Sequence, residues 1–101
     1  MFNKENRYIT RGINEKLDLR LQLILWNMID NLKEEEKELD YLQVFKVIKW
    51  EEKIMIEHSQ EVPKYKEKYV IASYNIALNE TIKVFVIDDD EYSTMMLAEE
   101  Y

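Results

Sequence analysis

The side chains able to do chemistry fall into three sets. Asp88-Asp89-Asp90-Glu91 puts four carboxylates in succession, and hard cations such as Ca2+ are held by oxygen ligands of this kind. The spacing does not fit a calcium loop, which spreads its ligands over about 12 residues around a central glycine. Consecutive acidic residues on a tight turn point in different directions, and Asp side chains readily cap their own backbone. A turn with a solvated acidic tip is therefore expected, and no metal site is assigned. His58 is the only histidine. With Glu57 and Glu61 close in sequence it could serve as a general acid or base. On a strand, however, Glu57 and Ser59 point to the face opposite His58, so no triad can be built from neighbours. The expectation is a partly buried or surface histidine, with an enzyme using His58 as an unfavoured alternative. The third set is Glu34-Glu35-Glu36-Lys37-Glu38-Leu39-Asp40, which reads as a solvated helix end. Joined to Asp88, Asp89, Asp90 and Glu91, its carboxylates Glu34, Glu35, Glu36, Glu38 and Asp40 could instead form an acidic interaction surface. In its sharpest form such a surface imitates duplex phosphates, which recur about every 3.4 Å along each strand.

None of these sets assembles into a nucleophile with its base or into a cofactor cradle, so no catalytic residue and no cofactor is assigned. The chain has no cysteine, which removes disulfides, thiolate metal sites and thiol nucleophiles. Its polar start lacks the apolar run of a signal peptide, and its longest aliphatic or aromatic runs fall far short of the roughly 20 residues of a spanning helix. A cytoplasmic location with no membrane contact is expected.

The net charge is −7 and is unevenly placed. Residues 1–33 carry a small cationic excess, through Lys4, Arg7, Arg11, Lys16 and Arg20 above all, while the remaining two thirds are strongly acidic. A negative field repels phosphate backbones and anionic lipid and attracts basic protein. Direct nucleic-acid binding is not expected on this reading, with the first twenty residues as the place for an anionic ligand if the sign argument fails.

The elements that must position these groups follow from periodicity. A length of 101 residues with one Gly and one Pro fits a single domain, 1–101, with no linker. Tyr8 to Ile13 alternates and reads as a short strand, with Gly12 marking a bulge or a close backbone approach. Asp18 is a good N-cap for a helix from 19 whose Leu21, Leu25, Met28, Ile29 and Leu32 recur at helical spacing. Leu19, Leu23 and Trp26 widen that stripe, so either the sheet wraps the helix or a second copy covers helix 19–33 in a homodimer. The carboxylates after it oppose the macrodipole and stop it near Lys33. Runs 41–50 and 54–62 form a hairpin over Glu51-Glu52-Lys53, with Ile54, Ile56 and His58 on one face. Residues 64–80 are ambiguous, since a helical stripe competes with β-rich Tyr69-Val70-Ile71, and a strand over 67–74 is preferred. Ile82 to Ile87 is a strand and 92–97 returns beside it. The expected class is α+β: one main helix on an antiparallel sheet of about five strands, in two layers.

Arg7-Tyr8-Ile9-Thr10-Arg11-Gly12-Ile13, Asp40-Tyr41-Leu42-Gln43-Val44-Phe45, His58-Ser59-Gln60-Glu61-Val62-Pro63 and Val84-Phe85-Val86-Ile87-Asp88-Asp89, with Ser93-Thr94-Met95-Met96-Leu97-Ala98-Glu99-Glu100-Tyr101, carry a resemblance. The chain resembles, nearly end to end, the bacterial family called domain of unknown function 960. That resemblance implies a setting in Firmicutes and their mobile genetic elements and carries no catalytic residues with it. Where the resemblance leads one to expect a glycine after Asp88-Asp89, this chain has Asp90.

The functional expectation is a non-enzymatic interaction module whose acidic surface binds a basic surface on a protein partner. A mobile-element DNA mimic acting on a DNA-binding host protein is its specialised form, and a structural homodimer is a further alternative. Seven tyrosines and two tryptophans exceed what a small core needs, and Tyr92, Met95, Met96 and Tyr101 are the candidate aromatic and methionine interface.

Overall fold

A computed structural model describes residues 1–72 and 76–101. Its centre is one helix whose ends are fixed by local chemistry. We label the helix α2 (Leu19–Glu34), since a short helix α1 (Arg11–Lys16) precedes it. The Asp18 carboxylate accepts from the Arg20 N–H at 2.8 Å, satisfying one of the unpaired donors of the first turn. At the other end Glu36 adopts φ 57°, the Glu36 N–H donates to the Lys33 carbonyl and the Lys37 N–H to the Leu32 carbonyl. This is a Schellman closure with glutamate where glycine is usual. Between these ends Leu21, Leu25 and Ile29 are fully buried, each such side chain contributing about 2 kcal/mol of burial.

Among the described residues, six strands form one sheet: β1 (Arg7–Ile9), β2 (Leu42–Trp50), β3 (Lys53–Gln60), β4 (Tyr65–Ala72), β5 (Ile82–Asp88) and β6 (Ser93–Leu97), in the spatial order β1-β6-β5-β2-β3-β4. All neighbours are antiparallel except β1 and β6. The α+β class stands, but the arrangement is richer than one helix on five antiparallel strands in two layers. The difference lies at the N-terminus. Of the stretch read as a strand, Tyr8 to Ile13, only Tyr8 and Ile9 belong to one, within Arg7–Ile9. Thr10 then turns the chain into α1, its hydroxyl oxygen accepting from the Ile13 N–H at 3.3 Å. Gly12 is therefore helical and marks no bulge, but the close approach is real: a Cβ on it would sit 2.7 Å from the Glu100 carboxyl group.

The hairpin of β2 and β3 turns through Glu51, at φ 57°, and Glu52. The strand expected over 67–74 begins two residues earlier, at Tyr65, and its last two expected positions lie outside the described residues. Strand alternation divides the sheet cleanly. Phe45 and Val47 of β2, Ile54 and Ile56 of β3, Ile82, Val84 and Val86 of β5, and Met95 and Leu97 of β6 join Ile13, Leu21, Leu25 and Ile29 in one core. Residues of the opposite parity on each strand are absent from that core. Both helices thus pack on one face, and the other face stays open to solvent.

Candidate functional site

The register answers whether the two acidic runs meet. Leu42 of β2 lies opposite Ile87 of β5, and the Asp88 N–H donates to the Tyr41 carbonyl at 3.0 Å. Asp40 lies just before β2 and turns towards β3: its N–H donates to Gln60 Oε1 at 3.0 Å and its carboxylate accepts from the Val62 N–H. The run after α2 keeps to that side, with the Glu38 carbonyl accepting from Gln60 and Lys37 over the Tyr65 ring; both acidic runs are thus at one end of the sheet, with β2 between them, and Glu34, Glu35, Glu36 and Glu38 are exposed. The nine acidic residues are not equivalent, however. Asp88 is only 8% exposed; its carboxylate accepts from the Phe2 N–H at 3.0 Å and from the Asp90 N–H at 3.3 Å. Asp89 accepts from the Glu91 and Tyr92 N–H groups at 3.1 and 2.9 Å, the expected Asx-turn chemistry. Asp40 accepts from the Val62 N–H at 3.1 Å. These three hold the backbone, while Glu34, Glu35, Glu36, Glu38, Asp90 and Glu91 face water. Asp90 fills the glycine position of the turn at φ 79°, a left-handed conformation that Asp tolerates better than most residues.

His58 is a correction. It is fully buried, neither partly exposed nor on the surface. Its ring stacks on Phe45 at 4.3 Å and meets Tyr65 edge-on at 5.3 Å. Gln43 donates through Nε2 to Gln60 Oε1 at 2.7 Å and to the Asp40 carbonyl at 2.9 Å, which leaves Gln43 Oε1 to accept from His58 Nε2 at 2.6 Å. Gln60 Nε2 continues to the carbonyls of Glu38 and Pro63. The chain of amides ties the core histidine to the 38–40 loop, and it assigns the Nε2–H tautomer. Nδ1 has no partner. Burial lowers the His58 pKa to about 4, so the ring is neutral at physiological pH. No carboxylate joins this network, and Glu57 lies on the other face of β3, as alternation requires.

The aromatic and methionine group divides too. Met95 is fully buried in the core and leaves the candidate interface, because β6 alternation turns it towards α2. Met96 is half-buried on the open face, and Tyr92 and Tyr101 are exposed. Tyr92 meets Tyr8 edge-on at 5.4 Å, and Tyr101 meets Phe85 at 5.7 Å. On α2 the wide apolar stripe is mostly covered: Trp26 is buried under the Arg7 guanidinium at 4.7 Å. Leu19 and Leu23, one turn apart, remain exposed, flanked by exposed Arg20 and Asn27.

The cations of the first twenty residues do not form an open basic face. Arg7 forms a two-bond fork with Asp30 and donates to the Phe2 carbonyl at 2.7 Å. Arg11 pairs with Glu15, Lys16 with Glu99, and Arg20 with Asp18. The Arg20 side chain and N–H lower the Asp18 pKa to about 2. Glu100, which accepts from the Thr10 hydroxyl at 2.7 Å and the Leu97 N–H at 2.8 Å, is likewise lowered, first by the Thr10 bond.

Sequence reasoning missed a different set of cations. Lys46 of β2, Lys53 of β3, Lys66 and Lys68 of β4 and Lys83 of β5 all take the open-face parity. Glu57 is the one carboxylate that these strands turn to the same side, pairing with Lys66 at 3.4 Å and Lys46 at 3.9 Å. The visible signal was alternation of lysine with tyrosine at 64–69; that distant Lys46 and Lys83 join them needs the register.

Grooves among the described residues are shallow. One of about 330 Å³ is lined by Lys16, Glu80, Lys83 and Glu99 among others, and the grooves described do not include His58 in their lining. Among the described residues, no group of three or more His, Asp or Glu side chains is placed to hold a metal ion, and no helix is long and apolar enough to cross a membrane.

The chain belongs to the family described as staphylococcal protein of unknown function, DUF960, whose model matches residues 6–100. Its fold is similar to that in the crystal structure of the protein of unknown function from Enterococcus faecalis. The TM-score is 0.83 at 24% identity, over 99% of this chain and 94% of that one. No curated protein matches the chain.

Proposed function

We propose that this DUF960 member is a non-enzymatic protein-interaction module, and that the acidic end of its sheet binds a basic surface on a protein partner. The observation that supports the reading is that both acidic runs lie at one end of the sheet, the Asp88–Glu91 turn after β5 and the Glu34–Asp40 run before its neighbour β2. Glu34, Glu35, Glu36, Glu38, Asp90 and Glu91 are the contact residues. Asp40, Asp88 and Asp89 set the loops from which they project. Anionic groups grouped on rigid connections attract a cationic patch and speed its encounter more than they tighten the final complex. Fixed loops also keep the ordering cost of association low. A duplex-mimic form would need regularly spaced free carboxylates, and the engagement of Asp40, Asp88 and Asp89 with backbone amides interrupts the row. The simpler basic-protein reading therefore leads.

The test is capture of partners from a native host extract on the intact chain at rising salt. A comparison bait carries Glu34→Gln, Glu35→Gln, Glu36→Gln, Glu38→Gln, Asp90→Asn and Glu91→Gln. The reading expects a partner that is released between low and physiological salt as screening sets in, and that the comparison bait fails to hold. Capture equal on both baits and indifferent to salt contradicts it.

A further inference from the structure

We propose that the open face of the sheet is a second docking surface, shaped for an acidic amphipathic segment of another protein: one carrying a row of Asp or Glu side chains with apolar side chains on either side of it. The pattern is written in the register. Lys83 lies opposite Lys46, Lys46 opposite Glu57, and Glu57 opposite Lys68. This is a single row across β5, β2, β3 and β4 at about 5 Å per strand. To one side of the row lie Val44, Phe85 and Met96; to the other lie Ile48, Met55 and Val70. All six are half-buried or exposed, and the core that holds the opposite parity contains none of them.

Two features of this face are costly to the chain alone. Like charges directly opposite on neighbouring strands are destabilising, and Lys46 faces Lys83 across β2 and β5. Among the described residues, Lys53, Lys68 and Lys83 have no carboxylate within 4.0 Å. The aliphatic bands above and below the row leave apolar area in water. One occupant relieves both: carboxylates over the lysine row and apolar side chains over the bands. The charge complementarity is specific to this face, since the molecule as a whole carries −7.

Other occupants fit less well. Single-stranded nucleic acid needs aromatic faces on which bases stack. The bands here are mostly aliphatic and methionine; the aromatics of this face are Trp50, at its far end opposite Lys53, and Phe85, whose ring is already met by Tyr101 and by the Lys83 ammonium at 5.7 Å. The acidic remainder of the chain also repels phosphate. A second copy packed face to face would bring lysine row against lysine row. A second copy presenting its acidic end would make a head-to-tail contact that assembles rings or filaments, which light scattering detects.

The experiment is a peptide-display selection, with random 16-residue peptides, on the intact chain. Counter-selection uses a variant with Lys46→Gln, Lys68→Gln and Lys83→Gln, whose folding is checked by its melting curve. Neutral glutamine avoids creating new repulsion with Glu57. The expected result is recovery of peptides rich in Asp and Glu flanked by apolar residues. They should bind the triple variant about tenfold or more weakly, bind a Val70→Ser variant more weakly, and shift backbone NMR signals of β2 to β5. A 12-nucleotide single-stranded DNA and light scattering are run in parallel. Three results overturn the proposal: selected peptides that are neutral or basic, tight DNA binding abolished by the triple variant, or concentration-dependent self-association that the triple variant removes.

Discussion

Two sets of five cations sit on this molecule and behave differently. Lys4, Arg7, Arg11, Lys16 and Arg20 are close in sequence and look like a basic patch. In the fold, four of them take a carboxylate each, two of these from residues 30 and 99. Lys46, Lys53, Lys66, Lys68 and Lys83 are scattered through an acidic stretch and look neutralised. In the fold they share one face and one carboxylate, Glu57. The lesson is that local potential follows from pairing, which tertiary structure sets, and not from the running charge of the sequence. It also separates roles. The first set ties β1 to α2 and α1 to residue 99, and the second set leaves Lys53, Lys68 and Lys83 with no carboxylate within 4.0 Å among the described residues.

The contrast between engaged and open polar groups can be broken at four places. The largest effect belongs to a cation that the fold refuses to form. Unfolded His58 titrates near 6.5, while burial lowers the folded value to about 4. Above pH 6.5 both states are neutral and stability is full; between 6.5 and 4 only the unfolded state binds the proton, so stability falls by up to about 3 kcal/mol and levels off below. The His58 ring signals in NMR should titrate near pH 4 in the folded protein, and a midpoint near 6.5 would refute the buried network. Next is Arg7→Met, which leaves Asp30 partly buried without its fork and uncovers Trp26. A loss of about 2–3 kcal/mol in urea unfolding is expected; a loss under 0.5 kcal/mol would make Arg7 no different from a surface cation. Gly12→Ala displaces the Glu100 carboxylate, the mobile end of its side chain, from the start of α1. The expected cost is about 1 kcal/mol, and it should vanish when Glu100 is already Ala. The smallest effect is expected on the open face. Lys46→Gln, Lys68→Gln and Lys83→Gln should each leave stability within about 0.5 kcal/mol, with any gain coming from relieved repulsion. A large loss from Lys83→Gln would mean that it has a structural partner and that the open face is not open.

Much of the fold was legible because the strongest periodicities were honest. Asp18 and the Leu21, Leu25, Ile29, Leu32 series point to the main helix, and the alternation in 41–50, 54–62 and 82–87 points to the three central strands, each within two residues of its observed bounds. The errors have physical causes. Tyr8 to Ile13 alternates as a strand should, yet Thr10 offers a hydroxyl to the Ile13 amide and starts a helix, and tertiary packing of Ile13 outweighs the pattern. Met95 and Met96 read alike in sequence, and only the phase of β6 sends one to the core and the other to the surface. His58 sat correctly with Ile54 and Ile56, but full burial needed partners from afar, Gln43 and Gln60, whose amides look like ordinary surface residues. For the candidate site, the acidic runs are visible as runs, while their arrival at one end of the sheet depends on β2 pairing with β5, strands far apart in the chain. The lysine row was the least legible feature, since its members come from four strands.

The most direct test of the account is a map of surface potential by NMR, from amide relaxation caused by a cationic and an anionic nitroxide probe at low salt. The account predicts enrichment of the cationic probe near residues 34–40 and 88–91, enrichment of the anionic probe near Lys46, Lys68 and Lys83, and little of the anionic probe around residues 4–20. Anionic probe concentrated on the first twenty residues, or cationic probe favoured evenly over the whole surface, would contradict it.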